Sequence, residues 1–165
     1  MAFAPVGELV RAGVRAADLR DAGESARIED FVHAHGGSLF QRPAWLRAVE
    51  RGTGQRARGL LCERGGVLAG WLPLTELHAP LFGRALVSSG FGVGGGVLAE
   101  GQGAALALAR AAQELAQRLA CPSIELRGPL AAPGWQAVGD RHCGFVTPIL
   151  ADDEAQLHAV PRKQR

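Results

Sequence analysis

The sequence predicts an α/β fold: a mixed, mostly antiparallel sheet with helices on both faces. Three observations predict it. Two strand candidates, 57–63 and 67–77, flank Arg64-Gly65-Gly66, a tight-turn signal that makes them an antiparallel hairpin. The stretch Val67-Leu68-Ala69-Gly70-Trp71-Leu72 is almost wholly apolar, so this strand needs cover on both faces and belongs in mid-sheet. A single strongly periodic helix, 103–120, leads into the alternating strand Ser123-Ile124-Glu125-Leu126-Arg127. Several adjacent strands ahead of one helix–strand unit exclude a doubly wound parallel sheet.

The elements follow in order. Residues 1–24 are weakly patterned, with a first strand within Val6–Val14 that Gly7 and Gly13 weaken. From Asp18 to His35, Ile28, Phe31 and Val32 share one helix face, and Gly36-Gly37 ends the helix. Ser38-Leu39-Phe40 is read as short and extended. Pro43 suits the first turn of a helix through Trp45, Leu46 and Val49, which Gly52 and Gly54 stop. After the hairpin, in which Pro73 limits pairing, comes a loop at 78–83. A third strand follows at Ala85–Ser89. Gly90–Gly96 holds five glycines, and Val97-Leu98 pairs briefly.

In the long helix Leu108, Ala112, Leu115 and Leu119 line one face, while Arg110, Glu114 and Arg118 stand four apart on the other. Cys121-Pro122 breaks it. A short helix at Trp135–Val138 and an edge strand at Phe145–Leu150 complete the pattern, and Asp152-Asp153-Glu154 suits the start of a last helix.

Composition narrows the function. The chain has 165 residues, 47% of them hydrophobic, which is enough for one core. The net charge of +2 is too small for a dedicated nucleic-acid module, so no stable nucleic-acid complex is expected. Every cation but Lys163 is Arg. Arg42, Arg47, Arg51, Arg56, Arg58 and Arg64 outnumber Glu50 and Glu63 in their stretch, which reads as a solvated face or as an anion-binding rim. Cys62, Cys121 and Cys143 show neither CxxC spacing nor a disulfide framework, and no metal site is expected. The N-terminus lacks signal-peptide character and no apolar run reaches the roughly 20 residues of a membrane span. The expected location is the cytoplasm.

Gly90, Gly92 and Gly95 match G-x-G-x-x-G, but the helix opens well beyond them, so a dinucleotide fold is excluded. The loop is then either plain or substrate-lining. Gly101 and Gly103 open the long helix, whose bare amides suit an anion. They also fit the end of the pyrophosphate pattern of GNAT-type acetyltransferases. Leu98 stands where that pattern has Gln or Arg, and no cofactor is assigned. Glu125 and Arg127 share a strand face, as an internal pair or as a cleft lining. No nucleophile–base pair can be placed by spacing, so the catalytic residues are unknown. Of the scattered histidines, His78 is the least remote from such a role.

Leu39-Phe40-Gln41-Arg42-Pro43-Ala44-Trp45 with the hairpin after it resembles the FemAB family. So do Leu72-Pro73-Leu74, the stretch from Ser88 to Gly96, and Ile124-Glu125-Leu126-Arg127. The resemblance runs over about 25–165 and is nearest the branch associated with exosortase (PEP-CTERM) surface systems. It implies a GNAT-like acyltransferase fold over 25–150. It also implies that 151–165 begins a linker helix to a second GNAT-like half, of which this chain would be the partner. Relatives that build peptidoglycan bridges transfer amino acids from aminoacyl-tRNA to a wall precursor. They carry a Lys four residues past the Trp equivalent to Trp45; here Val49 stands there, with Arg47 close by.

The resemblance implies an aminoacyl or acyl donor, aminoacyl-tRNA or acyl-coenzyme A, and a cell-envelope or exopolysaccharide precursor as acceptor. Arg47, Gly94, Gly95, Gly96 and Arg127 are the expected acceptor-binding residues. The alternatives are a non-catalytic binding or scaffold module, truncated or degenerate, and a stand-alone N-acetyltransferase using acetyl-coenzyme A.

Overall fold

In the computed structural model, β3 (Val67–Ala79) organises the sheet. The structure describes residues 13–81, 83–130, 132–139 and 147–160. They belong to two compact units, Met1–Pro133 and Gly134–Arg165. The first unit holds β1 (Val14–Ala16), α1 (Ala22–Ala34), a 3-10 turn (Leu39–Gln41), α2 (Pro43–Thr53) and β2 (Arg56–Arg64). After β3 come β4 (Gly83–Val87), β5 (Leu98–Ala99), α3 (Gln102–Arg118) and β6 (Ser123–Glu125). The strand order is β1-β2-β3-β4-β6, with β5 on β3. All pairings are antiparallel except β4 with β6.

The hairpin forms where the glycines place it. Gly65 and Gly66 have φ of 57° and 81°, which matches the twist of two-residue hairpin turns, and Arg64 pairs with Val67. The run 67–72 is apolar without alternation because the register slips between Cys62 and Glu63. Cys62 faces Gly70 and Glu63 faces Leu68, which leaves Ala69 as a bulge. Leu68 and Trp71 therefore share a face despite their odd spacing.

That face packs on α1 and α2 through Leu61, Leu68, Trp71, Ile28, Phe31, Val32 and Leu46. The opposite face, with Val14, Leu60, Leu72, Leu74 and Leu86, packs on α3 through Ala104, Leu108, Ala111, Ala112 and Ala116. The alanines let α3 lie close, and a Cβ on Gly70 would stand 2.9 Å from the Leu108 Cδ1. Each fully buried Leu here contributes about 1.5–3 kcal/mol of transfer free energy.

Helix ends follow their caps. Asp21 accepts from the Glu24 N–H at 2.6 Å to start α1, and Gly54 at φ 73° ends α2.

Some sequence expectations need correction. Ser38-Leu39-Phe40 is not extended. Residues 39–41 make a 3-10 turn because the Gln41 side chain folds back to accept from the Ser38 N–H at 2.8 Å. The third strand runs 83–87, with Ser88 and Ser89 already in the turn.

In the second unit, 135–138 carries no helix after Gly134 turns at φ 80°. Residues 147–150 form no strand. Pro148 has no N–H to give a ladder, and the Leu150 N–H donates instead to Gln156 Oε1 at 2.7 Å. Gln156 lies in α4 (Asp153–Ala159), which Asp152 caps as expected. Residues 6–12 of the expected first strand, and Phe145 and Val146, lie outside the described residues.

Candidate functional site

The sheet opens beside Pro73. One edge of β3 is shared by two short partners: β5 pairs with Gly70 and Trp71, and β4 with 75–79. Between these stretches Pro73 offers no N–H, and its carbonyl accepts from Ser89 at 3.3 Å. The chain from Ser88 to Val97 fills the gap as a glycine-rich loop.

A cleft of about 470 Å³ lies at the end of that loop. Val97 and Ala99 form one wall, Gly101, Gln102 and Ala105 of α3 a second, and Gly128, Pro129 and Leu130 a third. The N-terminus of α3 is bare: Gly101 is the N-cap, no side chain caps it, and the first turn has no acid. Such an end concentrates unpaired N–H groups and about half a positive charge. A guanidinium nitrogen of Arg64 lies 3.2 Å from the Cβ position of Gly103. Arg64 makes no ion pair among the described residues. Two positive features side by side suit a phosphate or diphosphate. Glu100, just before this turn, pairs with His35 at 3.5 Å.

The glycine loop is held along its length. Ser88 N–H donates to the Glu125 carbonyl at 2.8 Å and Gly90 N–H to Thr75 Oγ1 at 3.0 Å. Trp45 Nε1 donates to the Gly90 carbonyl at 3.2 Å, Ser89 Oγ to that of Phe40, and Gln41 Nε2 to that of Gly96 at 3.0 Å. Gln41 is itself fixed by buried Trp71, whose Nε1 donates to its carbonyl at 2.7 Å. Two non-glycine residues, Ser89 and Phe91, take left-handed φ of 47° and 61°. That conformation costs free energy which the surrounding bonds must offset.

The structure brings Gly94, Gly95, Gly96 and Arg127 to one place. Arg127 Nη1 donates to the Gly92 carbonyl, Nε to Glu125 Oε1 at 2.7 Å, and the backbone N–H to Ser88 Oγ at 2.7 Å. The last bond draws the chain out of β6 at 126–127. The Glu125–Arg127 pair therefore exists, and the same guanidinium clamps the loop.

Arg47 does not join them: it is exposed on α2 and makes no hydrogen bond or ion pair among the described residues. His78 is exposed at the end of β3, its backbone bonded to Gln55. His142 and Cys143 lie outside the described residues. Of the Arg-rich stretch read as a solvated face or an anion-binding rim, Arg64 lies beside the cleft, whereas sequence reasoning missed Ser38, Gln41 and Thr75 as neighbours of the loop. Local spacing carries no signal for them, because each contact crosses many residues of chain.

Away from the loop, burial works against ionisation of Glu76, but bonds from Arg58 at 2.8 Å and Arg84 at 2.5 Å outweigh it and hold the carboxyl below its ordinary range. Glu63 is held low by Arg15 and Arg27. Burial pushes the thiols of Cys62 and Cys121 up, so neither is an activated nucleophile.

No family model and no curated protein matches the chain. Solved structures do match. A ribosomal-protein-alanine N-acetyltransferase from Brucella melitensis biovar Abortus 2308 superposes with a TM-score of 0.51 at 18% identity, over 82% of this chain and 97% of that one. A GNAT family acetyltransferase from Staphylococcus aureus gives 0.50 at 14%, over 82% and 97%. An integron cassette protein from the mobile metagenome of Cole Harbour Salt Marsh gives 0.51 at 16%, over 88% and 99%. The fold is that of the GNAT acetyltransferases. Among the described residues no helix is long and apolar enough to cross a membrane.

Proposed function

We propose that this chain is an acyltransferase domain that binds an acyl donor in the cleft at the N-terminus of α3 and passes the acyl group to an amine. The observation that carries this reading is the 470 Å³ cleft set against bare helix amides with Arg64 alongside. These residues fit a coenzyme A diphosphate, with Arg64 supplying from β2 the positive charge that Leu98 cannot. Coenzyme A, when bound, would supply the acyl thioester. The amides of Gln102 and Gly103 would hold its phosphates.

The chain's own contribution is positioning. The new bond is C–N, and the thiol or hydroxyl of the donor leaves with the proton that the amine loses. The glycine loop lines the acceptor side, with Gly94, Gly95 and Gly96 as its backbone and Arg127 as the residue that positions it.

Two readings share this cleft. The first reading is a FemAB-type enzyme acting on an envelope or exopolysaccharide precursor, supported by the motifs from Leu39 to Trp45 and from Ser88 to Gly96. The second is a stand-alone N-acetyltransferase, supported by neighbours whose chains are covered almost end to end. Turnover of acetyl-coenzyme A with simple amines separates them: the second reading requires release of free thiol, whereas the first requires none without its own acceptor. On the second reading, and on the first where the donor is an acyl-coenzyme A, coenzyme A should raise the melting temperature. Saturation at about a hundred times Kd corresponds to roughly 2.7 kcal/mol of added stability.

A further inference from the structure

We propose that Ser38 Oγ and the backbone N–H groups of Gly94, Gly95 and Gly96 form an oxyanion-binding site, distinct from the α3 cleft and built for a carboxylate or phosphate group. Ser38 Oγ is buried, sits against the Gln41 N–H as the acceptor of a capping box, and donates its own proton to no group. It lies 3.8 Å from the Cβ position of Gly94, with nothing closer to that position. Among the described residues the N–H groups of Gly94, Gly95 and Gly96 make no hydrogen bond, although Gly95 and Gly96 are buried. Buried N–H groups left alone are rare in folded proteins and ask for a partner.

The chemistry of that partner follows from what is already used. The carbonyls of Phe40, Ser89, Gly90, Gly92 and Gly96 accept from Ser89, Arg127, Trp45 and Gln41 side chains. The unused groups are donors, together with a hydroxyl that can donate. The charges facing the loop are the Arg127 guanidinium and Glu125, which is bonded to it. A water can accept only two bonds, whereas a carboxylate or phosphate offers an acceptor for each donor. Successive backbone N–H groups are a known way to hold such an anion. The loop is open at half-buried Gly94, next to exposed Val93. This inference rests on the acyltransferase reading only in making the anion part of the acceptor.

Titration of the ¹⁵N-labelled chain with inorganic phosphate, and separately with acetate, tests it. The amide resonances of Gly94, Gly95 and Gly96 should shift and saturate, and the stronger of the two probes identifies the oxyanion. Ser38→Ala keeps the Ser38 N–H bond to Gln41 and should weaken the binding by roughly tenfold, about one hydrogen bond's worth. Unmoved loop amides, or shifts that never saturate, would mean an ordered water or an adventitious ion only and would overturn the site. Coenzyme A is the separate arm, read at the α3 amides. A loop response with silent α3 amides upholds the oxyanion site and removes coenzyme A as the donor in the α3 cleft. An α3 response with a silent loop does the reverse.

Discussion

Gly96 and Arg127 pack backbone on backbone: a Cβ at 96 would overlap the Arg127 carbonyl oxygen. The end of the glycine loop and the end of β6 can meet only because residue 96 has no side chain. Gly96→Ala should therefore cost about 2–3 kcal/mol, since neither backbone can yield without moving its strand. Gly94→Ala meets nothing nearer than 3.8 Å and should cost under about 1 kcal/mol. Urea unfolding of the two variants checks the contrast. Equal costs would mean that the close approach is absent in solution.

Trp71 ties the sheet to the loop through Gln41. Its ring also lies across Gly59, where a Cβ would overlap it. Trp71→Phe keeps most of the packing and removes the indole donor. The buried Gln41 carbonyl then loses its partner, at a cost of about 1–3 kcal/mol. Hydrogen exchange should show the added opening in the 3-10 turn and at Gly96, rather than in α3. Uniform loosening would argue against this route.

How much of this was legible in the sequence depends on the range of the contacts. The Gly65-Gly66 turn, the α3 periodicity and the Pro43 start are local, and each forms where the residues place it. The Ala69 bulge is invisible to a period-2 reading because it reverses parity inside an all-apolar run. Ser38–Phe40 reads as extended until Gln41 folds back on Ser38. The grouping of Gly94–Gly96 with Arg127 was legible as motif order. Its partners Gln41 and Thr75 were not, because hydrogen bonds that span 15 to 55 residues leave no pattern in spacing, and the approach of Ser38 to Gly94 is equally remote along the chain.

Acid should weaken the fold in a defined window. Against the effect of burial, Arg58 and Arg84 hold the Glu76 carboxyl below its ordinary range in the folded chain. A depressed carboxylate contributes stability that is complete above the unfolded value, about 4.3, and is lost as pH falls through the folded one. Glu63 acts with the same sign. The melting temperature should hold from pH 7 to about 5 and then fall. Glu76→Gln should start about 1–3 kcal/mol lower at neutral pH and fall less steeply in acid. A variant with an unchanged acid slope would show that Glu76 is not the group responsible.

Arg127→Ala removes the clamp on the Gly92 carbonyl and the pair with Glu125. The strained residues Ser89 and Phe91 then lose part of what offsets their backbone cost. Faster hydrogen exchange confined to 88–97, with the core unchanged, is the expected result. Slower or unchanged exchange there would mean that the loop holds itself.

The central claim is that the α3 cleft takes an acyl donor through bare helix amides and Arg64. The most direct measurement is a thermal melt against coenzyme A concentration, run in parallel on wild type and Arg64→Ala. The account predicts a saturable rise for wild type and a midpoint shifted to higher concentration by roughly tenfold in the variant, the loss of one charge-assisted bond. A flat melt for wild type across the whole range would contradict it.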